Sequence, residues 1–538
     1  MAQVINAALA NKTVADPIAA YESIRPLWEK SRAVCGGERF VKAFDGFIDV
    51  NTYTNLLLPF SPSMTQQQYD FYRAEAELPG IVSQYAKMII GGLLRKQPIL
   101  ELPKDAPPEA YHWIMDGFGQ DESPMSAFLD TILWEELQTS RAWVYVDYPK
   151  IDSTVREQMT KEEYTAIKPY PVIWNAESII SWKMCQTFQG AKKLERVILR
   201  GWIEDYSRNE WHPDLLDTLW VHELVEDKYQ IRIYQKPAPD LSVPVVNGKK
   251  QQQYDTQKPI FTLKETIQDI LVNGERLTFI PAWPLNGSVD ANEPILTALI
   301  DKEVGLYNKM SRRNHLLYGA STYTPVISSD ISDDDFDNIV NGGLGSWIRL
   351  RQGDTASVLE TPTAALQDMD RAIASAIEEM AKMGIKMLTP EVAQSGVALE
   401  IRNAAQSAQL GTLNNKVSNT MADIICFMIN WRYDTQYKSS DIEFNLSADF
   451  NPTPLGADWL RLATEWYQQG MIPRSVWLQI LKINDIIPPD YDDEEGKLEI
   501  NEDEMLMAQK QVGTASYTAQ LQMQEGLDPA AAAGVSYV

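Results

Sequence analysis

The clearest pattern of hydrophobic and polar positions consists of two helical stretches between residues 361 and 432. The first begins at Thr361-Pro362, an N-cap residue followed by proline at the first helical position, and it ends at Gly384. Its apolar residues are three or four positions apart: Leu366, Met369, Ile373, Ile377, Met380 and Met383. This spacing predicts an amphipathic helix that stops at the glycine.

The second stretch begins near Ala398. Its first three turns, to Gln409, are small and polar, and its later turns are apolar at helical spacing: Leu410, Leu413, Val417, Met421, Ile424, Met428 and Trp431. Such a helix is expected to run from one environment into another. Residues 385–397 between the two stretches are rich in Pro, Gly and small polar residues and predict a loop. For this segment alone, an ordinary helical hairpin in a globular core is the alternative.

The rest of the chain contains both helical and strand-like patterns of apolar residues. A helix is predicted before the Gly36-Gly37 pair, a single helical block over residues 69–89, and a helix opened by Ser123-Pro124. Strand patterns occupy residues 141–149 and much of 170–290, and a long helix starts at residues 292–294. Further helices are predicted over 459–467 and 476–481. The sequence therefore predicts an α+β fold.

Length and charge narrow the classes of function. With 538 residues the chain is too long for one core, so about three or four substructures are expected. Hydrophobic and aromatic contents of 44% and 10% are typical of folded globular proteins. A formal net charge of −26 argues against a general nucleic-acid binder, whose affinity comes from Lys and Arg. It allows a passive DNA conduit with a repelling wall, or it simply provides solubility.

The cysteines and the N-terminal residues indicate the cellular compartment. Cys35, Cys185 and Cys426 are far apart and odd in number, which suits a reducing cytoplasm and predicts no disulfide framework. The N-terminus lacks the basic and apolar regions of a signal peptide. No apolar run of about 18 residues occurs, so no membrane span is predicted.

A search for catalytic patterns finds none. The histidines lack the i+3 or i+4 partners of a zinc site, and the positions are His112, His212, His222 and His315. No phosphate-binding loop is present; residues 247–250 and 495–498 are the nearest matches and both fail. Carboxylate runs at 333–335, 492–495 and 502–504 are typical of solvated loops. We therefore predict no catalytic residue, no metal site, no cofactor and no enzyme activity.

Several short motifs nevertheless occur in a fixed order. They are YDFYRAEA at 69–76 with GGLLRKQP at 91–98, SRAWVYVDYP at 140–149, EPILTAL at 293–299 running to Asn308, Arg313 and Thr324-Pro325, SGVALEIR at 395–402, and GMIPRSVW at 470–477 with PDYDDEE at 489–495. Together they span roughly residues 20–500 and resemble the portal family of tailed double-stranded-DNA phages. Ser140 stands where the family more often has Gly, and Pro473 where it has Ser.

The resemblance implies a portal-like α+β fold with a helical stem and crown, a mixed wing and a small β-containing clip. It implies a ring of twelve copies at one capsid vertex, around a channel for genome packaging and ejection. The expected partners are double-stranded DNA, the terminase large subunit, adaptor or tail proteins, and the major capsid or scaffold protein, with no membrane. The protein would assemble in the host cytoplasm and reside in the virion.

The resemblance also implies a division of the chain. The expected regions are the wing (1–254), the clip (loosely 255–292), a stem helix (293–318), a wing return segment (319–362), a tunnel helix and tunnel loop (363–397), a connecting helix and strand (398–455), and the crown with the C-terminal tail (456–538).

Residues of the loop 385–397 and of the stem helix are the candidates to face DNA. They are Lys386, Thr389, Gln394 and Ser395 in the loop and Lys302, Lys309 and Arg312 in the helix. Their charge and their expected position support this assignment, and ordinary surface lysines are the alternative. Two other functions are open at this stage: a different virion component, such as an adaptor or scaffold, and an enzyme whose site is assembled from distant residues.

Overall fold

The computed structural model describes residues 13–47, 56–60, 64–149, 159–160, 167–186, 190–236, 245–246, 249–250, 261–268, 270–272, 274–321, 324–328, 355–359, 364–383, 396–446, 457–483 and 486. The chain divides into two compact units, Met1–Phe450 and Asn451–Val538. Helices and antiparallel sheets both contribute to it, so the predicted α+β class is confirmed.

The first unit begins with helices. In chain order they are α1 (Ala19–Gly36), α2 (Glu38–Phe47), α3 (Gln66–Glu75), α4 (Ile81–Leu93), the short strand β1 (Ile99–Glu101), α5 (Pro108–Asp116) and α6 (Met125–Thr139). The predicted break at the first glycine pair is confirmed, because Gly37 has a φ of 91°, which favours glycine. Helices α2 and α5 were not predicted.

The single helical block predicted over residues 69–89 is wrong. It is two helices, α3 and α4, with residues 76–80 between them. Pro79 lacks a backbone N–H, and Gly80 has a φ of 71°, a left-handed conformation that interrupts a helix. Apolar residues at helical spacing on both sides of this break concealed it in the sequence.

The strands that follow form two main sheets. Their bounds are β2 (Trp143–Asp147), β3 (Tyr170–Trp174), β4 (Ile179–Gln186), β5 (Lys192–Asp205), β6 (Asp214–Val225), β7 (Lys228–Gln235), β8 (Val245–Val246), β9 (Lys249–Lys250), β10 (Thr262–Ile267), β11 (Leu271–Val272), β12 (Glu275–Arg276) and β13 (Ala282–Pro284). One sheet has the order β10-β7-β6-β5-β4 and the other has β13-β2-β3, antiparallel throughout. The predicted β content of residues 170–290 is confirmed.

The five-stranded sheet is covered on both faces. On one face, Val197 and Ile231 pack with Trp174 and Tyr145 of the smaller sheet. On the other face, strand residues such as Ile198, Leu219 and Val221 pack against Tyr21 and Trp28 of α1. Burial on both faces explains why the centre of β5 is apolar at consecutive positions instead of alternating.

The last elements of the first unit are long helices and short strands. They are α7 (Thr297–Ser321), β14 (Thr324–Ser328), β15 (Thr355–Leu359), α8 (Ala364–Lys382), α9 (Gly396–Tyr433) and β16 (Glu443–Asn445), which pairs with β1. The helices predicted from residues 292–294, from 361 and from Ala398 are confirmed. Thr361, Pro362 and Gly384, the predicted ends of the second of these, lie outside the described residues.

The second unit contains two described helices, α10 (Ala457–Gln468) and α11 (Arg474–Ile483), which confirm the predicted helices in this region. Gly470 joins them with a φ of 73°. The rings of Tyr467 and Trp477 stack with their centroids 4.8 Å apart, and this contact fixes one helix on the other.

A buried carboxylate links α7 to helix α4. Glu303 of α7 accepts the backbone N–H groups of Ile81 and Val82 at 2.8 and 2.7 Å. These donors belong to the first turn of α4, whose N-cap Gly80 offers no side chain. Burial raises the pKa of Glu303, and the backbone N–H groups oppose that rise. Glu303 therefore caps one helix from another.

Replacing this cap is expected to destabilise the first unit. Glu303→Ala leaves two buried donors without a partner and should lower the free energy of unfolding by about 2–3 kcal/mol. Glu303→Gln keeps the shape and one acceptor, so its loss should be about half as large. Urea denaturation followed by circular dichroism measures both. Equal stability of the alanine variant and the native chain would contradict the assigned role.

Candidate functional site

Helices α7 and α8 form an antiparallel pair. The Lys302 ammonium lies 2.6 Å from a Glu379 carboxylate oxygen, and Arg313 pairs with Asp370 in the same way. Residue numbers rise along α7 as those of their partners fall along α8, which defines the antiparallel direction. The two ion pairs lie 11 residues apart on α7, so contact extends over much of its length.

The α7–α8 interface is apolar between these ion pairs. Leu306 on α7 and Ala376 and Met380 on α8 are buried. Among the apolar residues predicted to line one face of α8, Met380 is buried, whereas Ile377 and Met383 are each 45% exposed. The predicted apolar face is thus wider than the surface that α7 covers.

Two paired strands connect the far ends of this helix pair. Strands β14 and β15 are antiparallel, in a register from Thr324 opposite Leu359 to Ser328 opposite Thr355. Because α7 leads directly into β14 and β15 leads into α8, the strands lie at the end where α7 stops and α8 starts. The opposite end of α8 leads to α9.

Helix α9 has 38 residues, which corresponds to a length of roughly 57 Å. The predicted apolar residues of its second half are buried: Leu413, Val417, Met421, Ile424 and Met428. This half enters the main core, and the Thr420 hydroxyl donates to the carbonyl of Leu285 at 3.2 Å. The apolar half of α9 is thus buried; the side chains of its first turns lie outside the described residues, so the change of environment along α9 stays a prediction.

Three predicted DNA-facing residues lie together on α7. Lys302 is ion-paired with Glu379, and Lys309 and Arg312 are exposed. Arg312 also hydrogen bonds with the Tyr72 hydroxyl. The loop candidates Lys386, Thr389, Gln394 and Ser395 lie outside the described residues.

The start of α7 is held by the turn at residues 138–142, where α6 ends and β2 begins. Ser140 has a φ of 51°, in the left-handed region, and its hydroxyl accepts the N–H of Ile295 at 3.0 Å. Its carbonyl accepts from the Asn286 amide at 2.7 Å. A left-handed residue explains why glycine is the commoner residue in the motif that this segment resembles.

The same turn anchors α1. The Trp28 indole N–H donates to the carbonyl of Thr139 at 3.0 Å, and the Ser31 hydroxyl donates to that of Gln138 at 2.7 Å. Next to it, the buried Arg141 guanidinium lies over the Trp182 ring at 3.9 Å and donates to the carbonyl of Val289 at 3.0 Å. Burial lowers the pKa of Arg141 to about 10, so it stays charged at neutral pH.

The buried side chain of Glu136, in α6, also binds the backbone of this turn. One carboxylate oxygen accepts the N–H of Ala142 at 3.0 Å, and the carboxylate also interacts with the Asn286 side chain. Burial raises the pKa of Glu136 to about 7 and the negative charge of Glu135 raises it further, while the Ala142 N–H, the Asn286 side chain and the charge of Lys416 act against the rise. Sequence reasoning missed this residue; a glutamate pair inside the apolar pattern of α6 was the available signal.

Among the described residues, neither the buried His222 nor the surface cavity near Lys183 has the arrangement of a catalytic site. His222 is buried against Tyr229, 2.6 Å from its hydroxyl oxygen, and burial lowers its pKa to about 3, so it remains neutral. A surface cavity of about 640 Å³ is lined by Lys183, Lys192 and Asp290 but by no histidine or cysteine. Among the described residues, no group of three or more His, Cys, Asp or Glu side chains is placed to hold a metal ion.

None of the helices within the described ranges combines the length and the apolar character needed to cross a bilayer.

Comparison with known proteins gives one family match and several distant structural likenesses. A domain of unknown function, DUF4055, matches residues 295–432, which extend from the start of α7 almost to the end of α9. No curated protein matches the sequence.

Among solved structures, the chain is similar to a chain in the virion of a native gene transfer agent particle, with 10% identity and a TM-score of 0.33. The match covers 72% of this chain and 85% of the other. It is also similar to a chain in the neck of an empty gene transfer agent particle computed with C6 symmetry, with 10% identity, a TM-score of 0.34 and the same coverage. A chain in the neck of a native particle computed with C12 symmetry has 8% identity, a TM-score of 0.34, and coverage of 74% and 89%. TM-scores this low do not establish a shared fold.

The buried Glu136 predicts an unusual pH dependence of stability. Its pKa of about 7 in the folded chain exceeds the ordinary value of 4.5, so the folded state retains its proton longer than the unfolded state does. Its contribution is therefore present at pH 4 and is lost as the pH rises through 7. Glu136→Gln removes this titration and should stabilise the chain more at pH 8 than at pH 4, by on the order of 3 kcal/mol.

Urea denaturation at both pH values measures that difference. The exposed Glu109→Gln on α5 is the matched control and should show no such change. A Glu136→Gln effect that is the same at pH 4 and pH 8 would contradict the raised pKa.

Proposed function

We propose that this chain is a phage portal protein, which forms a ring at one capsid vertex and serves as a channel and docking platform for DNA packaging and ejection. The observation that carries the proposal is the ordered series of portal-like motifs. The structure adds a physical reason for the glycine that is commoner at position 140 of these motifs, since Ser140 has a left-handed backbone conformation here. The role is that of a conduit and not of an enzyme.

The helix pair α7–α8 supports the assignment of a stem. Helix α7 has 25 residues, so it extends for roughly 37 Å, and α8 runs antiparallel beside most of it. Ion pairs and buried apolar contacts join the two helices. We therefore propose that residues 293–318 belong to the stem and that α8 accompanies them.

The position of the clip has two candidates. Residues 255–292 were the candidate from sequence, and strands β10 and β13 within them pair with β7 and β2 of the main sheets. The alternative is the segment around β14 and β15, supported by its position between the far ends of two antiparallel helices. A docking element is expected at the end of the stem, so the segment around β14 and β15 is the better candidate.

The tunnel loop is proposed for residues 385–397, of which Gly396 and Val397 already form the start of α9. It follows the end of α8 that lies beside Lys302, and it precedes the small and polar first turns of α9. Lys386, Thr389, Gln394 and Ser395 would face the channel, with Lys309 as the exposed candidate on α7. The crown is proposed for residues from 456 onward.

A net charge of −26 fits a conduit better than a binder. An acidic or neutral wall repels phosphates and lets duplex DNA slide, while a few lysines limit the repulsion locally. The proposed partners are duplex DNA, the terminase large subunit, adaptor or tail proteins, and the capsid or scaffold protein. The proposed location is the virion.

The first expected result is a ring. Native mass spectrometry of the full-length chain should give an assembly of about twelve copies, and negative-stain imaging should show an open centre, because a portal channel must be wide enough for duplex DNA. A ring too narrow for duplex DNA would instead favour an adaptor. A dimer or tetramer with a closed centre would reject the portal assignment.

The second expected result concerns the channel charges. Lys386→Glu places a carboxylate where DNA phosphates would pass and should reduce packaged DNA several-fold without affecting ring assembly. Lys87→Glu, an exposed lysine of α4, is the matched control. Nuclease-protected DNA per particle measures packaging. Normal packaging by Lys386→Glu would reject the proposed channel position of that residue.

A further inference from the structure

An exposed aromatic surface lies at the tip of the β5–β6 hairpin. Its four apolar side chains are Trp202, Tyr206, Trp211 and Leu215, with exposed fractions of 61%, 50%, 79% and 59%. We call these residues the hairpin patch. Two tryptophans and a tyrosine are thus exposed within ten residues of this hairpin, and exposed tryptophan and tyrosine are enriched where proteins contact one another.

Hydrogen bonds order the backbone that carries the hairpin patch. The Asn209 side-chain oxygen accepts the N–H groups of Trp211 and His212 at 2.8 and 3.2 Å. Asp205 accepts the N–H of Ser207 at 3.0 Å, and the Tyr206 hydroxyl donates to Glu204 at 2.7 Å. An ordered loop loses little conformational entropy when it binds, so it is suited to docking.

The charged residues around the hairpin patch are mostly acidic. Residues 202–215 contain one arginine, Arg208, and four carboxylates, which are Glu204, Asp205, Glu210 and Asp214. Arg208 is paired with Asp214 at 3.2 Å. The remaining carboxylates give this aromatic surface a negative rim.

A second exposed apolar surface lies on α3 and the end of α7. Phe71, Leu317 and Tyr318 are 45%, 45% and 47% exposed, and the Phe71 and Tyr318 rings lie 5.6 Å apart. We call these three residues the helix patch. Two acidic residues near this patch are already paired with basic ones, Asp370 with Arg313 and Asp70 with Arg73. The exposed Arg312 of α7 lies outside these two pairs and gives the helix patch a basic rim.

We propose that the hairpin patch of one copy docks on the helix patch of the next copy, so that identical chains associate head to tail. Both surfaces are aromatic, and their rims carry opposite charges, so each matches the other better than it matches itself. An interface between two different surfaces of one chain generates a ring when its rotation closes. This inference rests on the proposed ring and names the surfaces that form it.

The inference also changes the role of Arg312. A side chain enclosed between two copies does not contact DNA in the channel, so Arg312 belongs to the interface. Among the sequence-predicted residues of α7, this leaves Lys309 as the candidate for the channel.

Complementation between two defective variants tests this interface. Trp211→Ser damages only the hairpin patch, and Arg312→Glu reverses the charge beside the helix patch. Each variant alone should lose the ring, with association weakened about tenfold or more. Mixed together, they should form 1:1 dimers and nothing larger, because each supplies the intact surface that the other lacks. Native mass spectrometry of the full-length chains measures the stoichiometry.

Controls separate folding from association. Tyr111→Ser on α5, an aromatic residue with an exposed fraction of 43%, and Lys87→Glu on α4 should both leave the ring intact. Circular dichroism should give all four variants the native spectrum, since the altered side chains are exposed.

The failures are distinguishable. If the native chain forms a ring and the two variants form it equally well, the docking surfaces are wrong and the proposed function stands. If each variant alone is defective and the mixture gives no dimers, the two surfaces do not pair with each other. If the native chain forms only a small closed oligomer or stays a monomer at micromolar concentration, the ring itself is rejected.

Discussion

The backbone of residues 138–142 lies where α6 ends and β2 begins. Helix α1, the segment before α7 and the residue after β13 all hydrogen bond to it. Side chains of α1 donate to two of its carbonyls, the segment before α7 donates to the Ser140 hydroxyl and carbonyl, and the N–H of Leu285 donates to the carbonyl of Ala142. The left-handed Ser140 caps the C-terminus of α6 and so begins this turn. Without that turn, α1, β2 and α7 would lose their common anchor.

Buried carboxylates serve the same purpose elsewhere in the unit. Asp45 accepts the N–H groups of Leu57 and Leu58 at 2.7 and 2.9 Å, as Glu303 does for α4 and Glu136 for β2. Burial raises the pKa of Asp45 to about 6, although both N–H groups oppose the rise. Raised carboxylate pKa values are also typical of catalytic acids and bases, but each of these three carboxylates accepts hydrogen bonds from backbone N–H groups.

The sequence predicted the elements with strong periodicity, such as α7, α8 and α9 and the strands of the large sheet. It joined α3 to α4 because apolar spacing outweighed the Pro79-Gly80 signal, and it missed α2 and α5. The predicted basic residues Lys302, Lys309 and Arg312 are all on α7, and their contact with DNA stays a prediction. The pairing of Lys302 with Glu379 depends on a residue 77 positions away. Contacts between distant segments, such as those of Glu303 with the backbone of Ile81 and Val82, leave no local pattern in the sequence.

The antiparallel arrangement of α7 and α8 has a mechanical consequence. Two helices joined by ion pairs and by buried side chains between them resist bending more than one helix does, and α7 extends for roughly 37 Å from its anchor beside Ser140. A force applied at the β14–β15 end therefore acts on a stiff lever. Because the lever is held at its other end by the 138–142 turn, a small displacement at its tip is transmitted to the junction of α1, α6 and β2.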